Sequence, residues 1–322
     1  MRSYGQGMET IGTGGAGATG DTGGRAPARP DASARPQQRR GAIALMLTAA
    51  ASNQSGAALG AMAFPVLGPV GVVAVRQVAT AIMLTAIVRP ALRGMSGQQW
   101  RPILGLALVF GVMNLSLYAA IERIGLGLAV TLEFLGPLAV AVVTSRRVLD
   151  IGAAVLAGAG VVVLTQPGPT TDVLGIALAL LAAASWACYI LLNRTLGQRL
   201  PGLRGTAAAG LVSAVVWVPI GAVWFVLHPP TPAAIALAIG CAALASVVPY
   251  IADLLALRRV PAHVYGTFAS VNPVLAAIAG WLLLQQALGL GQWIGIALIV
   301  LSNVAVSVRG RTPTAAVAKR RW

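Results

Sequence analysis

Lysine is all but missing from this chain: the only one, Lys319, lies near the C-terminus. A phosphate-binding loop ending in Gly-Lys-Ser/Thr therefore cannot be built, which excludes an ATP-driven pump made from this chain alone. Histidine is nearly as scarce, with only His228 and His263 and no HExxH or GxSxG pattern, so zinc-protease and serine-hydrolase chemistry have no support. The two cysteines, Cys188 and Cys241, fall in apolar segments without disulfide or metal-ligand spacing; they are expected to pack as small hydrophobes. No metal and no cofactor is expected. Charge is sparse as well, at 10% of residues, while 57% are hydrophobic and the mean hydropathy is +0.81. That is more apolar surface than one globular core hides, so the partner is a lipid bilayer.

The charge that is present is lopsided, 23 basic against eight acidic residues for a net +15. Clustered cations of that strength would ordinarily suggest phosphate backbones. Here all of them except Arg76 sit in the tails or at the ends and junctions of apolar stretches, which is a membrane-topology pattern. No nucleic acid partner is expected.

Residues 1–41 are rich in Gly, Ala, Pro and Arg and lack aliphatic periodicity, so they read as a disordered tail. From Gly41 onward, apolar runs recur that are long enough to cross a hydrocarbon core of about 30 Å, which takes roughly 20 helical residues. The expected spans are 42–64, 69–89, 102–121, 124–144, 148–165, 173–192, 206–227, 233–256, 260–284 and 288–308. The fold class is all-α integral membrane: ten helices, because only helices satisfy the backbone inside lipid without strand partners. The first span could also be read as a cleavable signal peptide, but its removal would leave nine.

Arg39 and Arg40, Arg89, Arg93 and Arg101, Arg146 and Arg147, Arg194, Arg199 and Arg204, and Arg258 and Arg259 occupy one set of alternate loops. The opposite loops carry Glu122, Arg123, Asp172 and His228. By the positive-inside rule both termini are cytoplasmic and the number of spans is even. The expected location is the cell (inner or plasma) membrane.

Shifting the chain by 136 residues aligns Ile124 with Val260, Gly127 with His263 and Pro137 with Pro273, which suggests an internal repeat. Residues 42–165 would form a first five-helix repeat, 166–172 a connecting loop, 173–308 a second repeat, and 309–322 a basic cytoplasmic tail. An odd number of spans per repeat inverts the second, an architecture of carriers with a midplane site.

Charge in hydrocarbon costs from about 2.5 kcal/mol upward at a helix centre, so ionisable groups there are the leading candidates for function. There are three: Arg76, Glu133 and Asp253. Glu133 lies near the middle of the fourth span, roughly 14–16 Å from either surface. It is read either as a proton-carrying carboxylate or as half of a structural ion pair with Arg76. Arg76 could hold a substrate carboxylate in its planar fork, release Glu133 when substrate arrives, or snorkel outward. Asp253 lies close to Arg258 at the cytoplasmic end of its span, where a structural role is favoured. Asn114 with Tyr118, and Tyr265 with Asn272, each share one helix face and could present hydrogen-bonding groups to a ligand. Gln54, Ser55, Trp186 and Tyr189 are further lining candidates, although interhelical hydrogen bonding would explain the polar ones equally well. Pro137 and Pro273 each free a backbone carbonyl and allow a kink.

The run Leu132-Glu133-Phe134-Leu135-Gly136-Pro137-Leu138-Ala139-Val140-Ala141, trailed by Thr144-Ser145-Arg146-Arg147, together with Gly111-Val112-Met113-Asn114, resembles the EamA family of the drug/metabolite transporter superfamily. Gln54-Ser55-Gly56-Ala57, the stretch Ser185 to Leu191, and Val248-Pro249-Tyr250 through Asp253 are similar to its threonine/homoserine exporter branch. The resemblance implies a carrier that exports small metabolites, amino acids among them, by proton exchange through a central cavity, with Glu133 and Arg76 at positions of matching residue type. Two departures remove carboxylates: Val271-Asn272-Pro273 where the branch resembles Glu-Pro, and Leu284-Gln285-Gln286 where Gly-Glu is common.

The expected function is thus a secondary transporter of a small-molecule substrate coupled to protons, and not an enzyme. A carrier for another solute is the alternative. A membrane-embedded enzyme would need clustered acids or histidines at one face, and a passive channel would show flux that never saturates. The orientation predicts that an epitope tag fused after Trp322 is protected from protease in intact spheroplasts and digested in inside-out vesicles. The reverse pattern would give an odd number of spans or the opposite orientation.

Overall fold

The computed structural model describes residues 36–90, 95–145, 148–165, 172–197, 204–257 and 270–309. Tyr265 falls outside them, as do the side chain of Asp253 and residues 1–35. Among the described residues every regular element is a helix: α1 (Pro36–Met62), α2 (Phe64–Val88), α3 (Gly97–Ile124), α4 (Leu126–Glu133), α5 (Leu135–Ser145), α6 (Val148–Thr165), α7 (Val173–Gly197), α8 (Arg204–Leu227), α9 (Pro232–Ala242), α10 (Val248–Leu257), α11 (Asn272–Leu284) and α12 (Leu290–Arg309). A five-residue π-turn, Ala243–Val247, joins α9 to α10.

Among the described residues, five stretches are long and apolar enough to cross a membrane: Phe64–Val88, Gly97–Ile124, Val173–Asn193, Arg204–Leu227 and Pro232–Ala252. Shorter apolar helices cover Leu126–Val140, Ile151–Thr165, Asn272–Leu284 and Leu290–Ala305. The first helix starts at Pro36 and not at 42. Proline is pre-organised for a first helical turn and Gln-Gln-Arg-Arg are good helix formers, so the polar flank continues the apolar helix.

The distribution of polarity is the inverse of a soluble domain. Gln54, Arg76, Gln77, Asn114, Ser116, Thr131, Glu133 and Ser246 are buried, whereas Leu108, Val143, Val155, Val215, Val223, Val226 and Leu290 are exposed. An apolar rim around a polar interior fits hydrocarbon as the surrounding medium. Helices pack as α3 on α7 and α8, α2 on α8 and α9, α6 on α12, α4 on α7 and α11, and α1 along α9, α10 and α11.

Small residues let these helices approach closely. A Cβ on Gly56 would lie 2.5 Å from the Ala245 amide nitrogen, and one on Gly60 would lie 2.7 Å from the Tyr118 ring. One on Gly295 would lie 2.6 Å from Leu164. Gly56 thus serves packing of α1 against the π-turn, and Gly60 its packing against α3 and α9.

Three corners carry the chain from one helix to the next at one end of the bundle. At the α3–α4 corner Gly125 takes φ 82, and the Leu126 N–H donates to Gln286 Oε1 at 2.9 Å. Gln285, after α11, takes a left-handed φ of 56, a conformation that glycine adopts without the Cβ penalty. Asp172 caps α7: its Oδ1 accepts from the Gly175 N–H at 2.8 Å and from Arg123 Nε at 3.0 Å. These two donors, the backbone amide first, hold its carboxyl below the usual value of 3.8. A carboxylate depressed in the folded state stabilises above its unfolded pKa and loses that contribution as pH falls through the folded one. Asp172→Asn keeps the cap but drops the charge. Its melting temperature in detergent should therefore sit below wild type at neutral pH, with the gap closing below pH 3.8; a gap independent of pH would show that the charge contributes nothing.

Candidate functional site

Proline shapes the fourth span around its acid. Pro137 has no N–H to give the Glu133 carbonyl four residues back, and the helix turns at Phe134 between α4 and α5. Glu133 is therefore the last residue of a short helix and carries both a carboxylate and a freed backbone carbonyl. Its side chain is 7% exposed. Among the described residues it has no ion-pair partner within 4.0 Å, the one such pair being Arg123–Asp172. The direct Arg76–Glu133 ion pair, one of the two readings from sequence, is not formed in this structure.

Arg76 is instead engaged by the π-turn. The Val248 N–H reaches back to the Ala243 carbonyl, one residue further than an α-helical bond, so the Leu244 carbonyl loses its α-helical donor. Pro249, lacking an N–H, withholds the α-helical bond from Ala245 as well. Side chains from other helices supply both. Ser52 Oγ on α1 donates to the Leu244 carbonyl at 2.8 Å, and Arg76 Nη2 on α2 donates to the Ala245 carbonyl at 3.0 Å. Arg76 Nε adds a bond to Ser246 Oγ at 3.1 Å. The guanidinium carbon lies 5.2 Å from the centre of the Tyr118 ring, a cation–π distance. Tyr118 is fully buried and its hydroxyl is 3.0 Å from Cys241 Sγ. At 8% exposure, Arg76 does not snorkel.

A second polar pair bridges α1 and α11. Gln54 Nε2 donates to Asn272 Oδ1 at 2.9 Å, while Gln54 Oε1, on a side chain only 2% exposed, has no hydrogen-bond partner. Pro273 sits in the first turn of α11 beside Asn272, where proline is well tolerated.

The remaining candidates lie apart from this arrangement. Asn114 is buried but its Nδ2 donates to the Phe110 carbonyl one turn back at 2.7 Å. Trp186 stands edge-on to Phe134 at 4.7 Å, and Tyr189 packs on Phe110 at 5.6 Å. Ser55 is partly buried. Sequence reasoning missed Ser52, Ser246 and the polar role of Cys241. Pro249 was the available signal, since a proline late in a long span announces carbonyls that need donors.

The EamA-like transporter family matches residues 173–308. The chain is 36% identical over 283 residues to the threonine/homoserine exporter RhtA of Salmonella typhimurium strain LT2, covering 84% of this chain and 91% of that protein. It is 35% identical over 280 residues to the threonine/homoserine exporter RhtA of Escherichia coli strain K12, covering 84% and 92%. This chain belongs to the EamA-like transporter family. The match of 283 residues to the exporter reaches well beyond the 173–308 segment that the family model covers. The EamA member also shares 27% identity over 156 residues, 48% of its length, with an uncharacterized transporter of Bacillus subtilis, YwfM. A protein of known crystal structure at 20% identity superposes with a TM-score of 0.56 over 85% of this chain and 99% of its own, which supports the fold alone. With transporters as its relatives and an apolar exterior, the EamA protein is a multi-pass membrane transporter of a small molecule and not an enzyme.

If Arg76 replaces the donor that Pro249 lacks, the two residues are energetically coupled. Arg76→Gln should lower the melting temperature in detergent. Pro249→Ala, which restores an N–H, should recover part of that loss in the double variant, a coupling of about 1 kcal/mol. Strict additivity would show that the bond to Ala245 carries no stability.

Proposed function

We propose that this chain is a secondary carrier that exports small hydroxylated amino acids, threonine or homoserine, in exchange for protons. The substrate reading rests on identity of 36% across 84% of the chain with threonine/homoserine exporters. The coupling reading rests on Glu133, a buried carboxylate at a mid-span helix break with no cation within ion-pair distance among the described residues. A lone acid so placed is costly to keep and is suited to taking up and releasing a proton as its surroundings change.

The architecture that goes with this function is ten spans in two inverted five-helix repeats, 42–165 and 173–308, with both termini cytoplasmic. Packing supports the repeat. The contact of α3 with α7 has its counterpart in that of α1 with α9 and α10, as exchange of the two halves requires. The contacts of α2 with α8, α4 with α11, and α6 with α12 map onto themselves. Polar ties through Arg76 and Gln54 run between the halves, so rocking of one repeat against the other would make and break them. Asn114, Tyr118, Tyr265 and Asn272 complete the proposed lining, with Ser55, Trp186, Tyr189 and Asp253 as outlying members.

One observation favours a carrier for a different solute: Asn272 stands where the exporter branch resembles an acid, so this site holds one carboxylate fewer. Flux of labelled threonine and homoserine into proteoliposomes, driven by a pH gradient, tests the choice. Wild type should show saturable, gradient-dependent flux, and Glu133→Gln at matched folded protein should lose the gradient dependence. Saturable flux unaffected by Glu133→Gln would move the coupling group elsewhere, and absence of flux for both solutes would favour the other-solute carrier.

A further inference from the structure

Gln54 is nearly inaccessible yet leaves a carbonyl oxygen unbonded. Buried polar atoms are seldom left in that state unless something else visits them. Its depth in the bundle follows from the helices around it. Gly127 lies against Ala277, while Leu126 and Gly127 lie against Gly280, so α4 and α11 run antiparallel. Roughly 9 Å of helical rise separates Gly127 from Glu133, and roughly 7.5 Å separates Ala277 from Asn272. Glu133 and Asn272 therefore stand at one depth, and Gln54 is bonded to Asn272. Two residues along α1 from Gln54, Gly56 lies against Ala245, whose carbonyl is bonded to Arg76. All these groups occupy one layer.

Within that layer the unspent groups at Gln54 and Glu133 are of one kind. Gln54 Oε1 accepts only, an ionised Glu133 carboxylate accepts only, and Pro137 leaves the Glu133 backbone carbonyl without its helical donor. Three acceptors with one negative charge suit a ligand with three N–H donors and one positive charge. Arg76 brings the opposite complement: its two bonds to the π-turn leave further N–H donors on the same guanidinium, matched to an anion.

We propose that Gln54 is a specificity-determining residue whose Oε1, together with Glu133, receives the ammonium group of the transported molecule. This rests on the carrier reading above and adds the chemical group that the substrate must carry. The bond to Asn272 holds the Gln54 amide with its oxygen turned away from that partner, so Asn272 positions the acceptor. An amide turned the other way would present N–H donors and select a carboxylate instead, and the two orientations give opposite ligand preferences.

The test is ligand-induced stabilisation of the purified full chain in detergent, read as an apparent Kd from melting-temperature shifts. The probes are threonine, homoserine, 2-amino-1,3-butanediol, which keeps the ammonium and lacks the carboxylate, and 2,3-dihydroxybutyrate, which keeps the carboxylate and lacks the ammonium. Wild type should respond to the three amines and not to the dihydroxy acid. Gln54→Met, with a volume close to glutamine, should weaken amine binding by about tenfold or more, the loss expected for one hydrogen bond to a charged group. Gln54→Glu, which keeps an acceptor, should retain it. Response to the aminobutanediol alone, lost in Gln54→Met, would uphold the ammonium site while removing threonine and homoserine as substrates. The proposal is overturned if Gln54→Met, with an unchanged ligand-free melting temperature, binds threonine as wild type does. It is also overturned if the dihydroxy acid is the preferred ligand, or if no amine stabilises the protein.

Discussion

A proline inside a membrane helix creates an obligation that water cannot meet, and at Pro249 this protein meets it with an arginine. The π-turn before it deprives the Leu244 carbonyl of its helical donor, the proline itself deprives Ala245, and Ser52 and Arg76 reach in from neighbouring helices to supply replacements. Much else follows from that arrangement. Gly56 must be bare for α1 to lie against Ala245, and Gly60 must be bare for Tyr118 and Cys241 to meet. Tyr118, in turn, gives the buried guanidinium an electron-rich surface. A charge that would be prohibitive in lipid thus becomes part of the packing, because it gives the Ala245 carbonyl the donor that Pro249 withholds.

Engaging Arg76 in this way has a consequence for Glu133. A carboxylate in a direct ion pair would be fixed, whereas here the opposite charge stays beyond ion-pair distance and is held there by protein oxygens. The break at Phe134 keeps the acid at the end of a short helix, next to a backbone carbonyl of its own. The site therefore combines a rigid cation with an acid that has unspent bonding capacity, and these two demands are met by different prolines on different helices.

How much of this was readable beforehand depends on the range of the interaction. The all-helical membrane fold was legible, since lipid demands long apolar runs and the chain has them. Glu133 and Arg76 stood out because charge in such runs is rare. Local grammar also marked Pro137, and the break falls just ahead of it. What could not be read were pairings between distant segments: Ser52 with Leu244, Gln77 with Ser213 at 2.8 Å, Tyr118 with Cys241, Gln54 with Asn272. Asn114 and Tyr118 lie one turn apart as periodicity requires, and one N–H of the asparagine amide donates to its own helix, a local bond that the spacing does not announce. The departure at Gln285-Gln286 likewise becomes intelligible only in three dimensions. Residue 285 takes a left-handed conformation that glycine prefers, and the amide of Gln286 accepts the Leu126 N–H as a carboxylate would.

The neutral Asn272 changes the electrical character of the interior. With Arg76 as a fixed cation and Glu133 as the acid beside it, this layer carries no net charge when the carboxylate is ionised and one positive charge when it is protonated. A zwitterionic amino acid adds nothing to either sum. On the proposed cycle the loaded and empty forms then differ by the proton alone, and each turnover displaces one charge through the membrane field, about 2.3 kcal/mol for every 100 mV. An additional acid at position 272 would shift both sums by one unit. The one charge per turnover would stay the same, and on the proposed cycle the amide on α11 would decide only whether the protonated or the ionised form of the layer is the charged one.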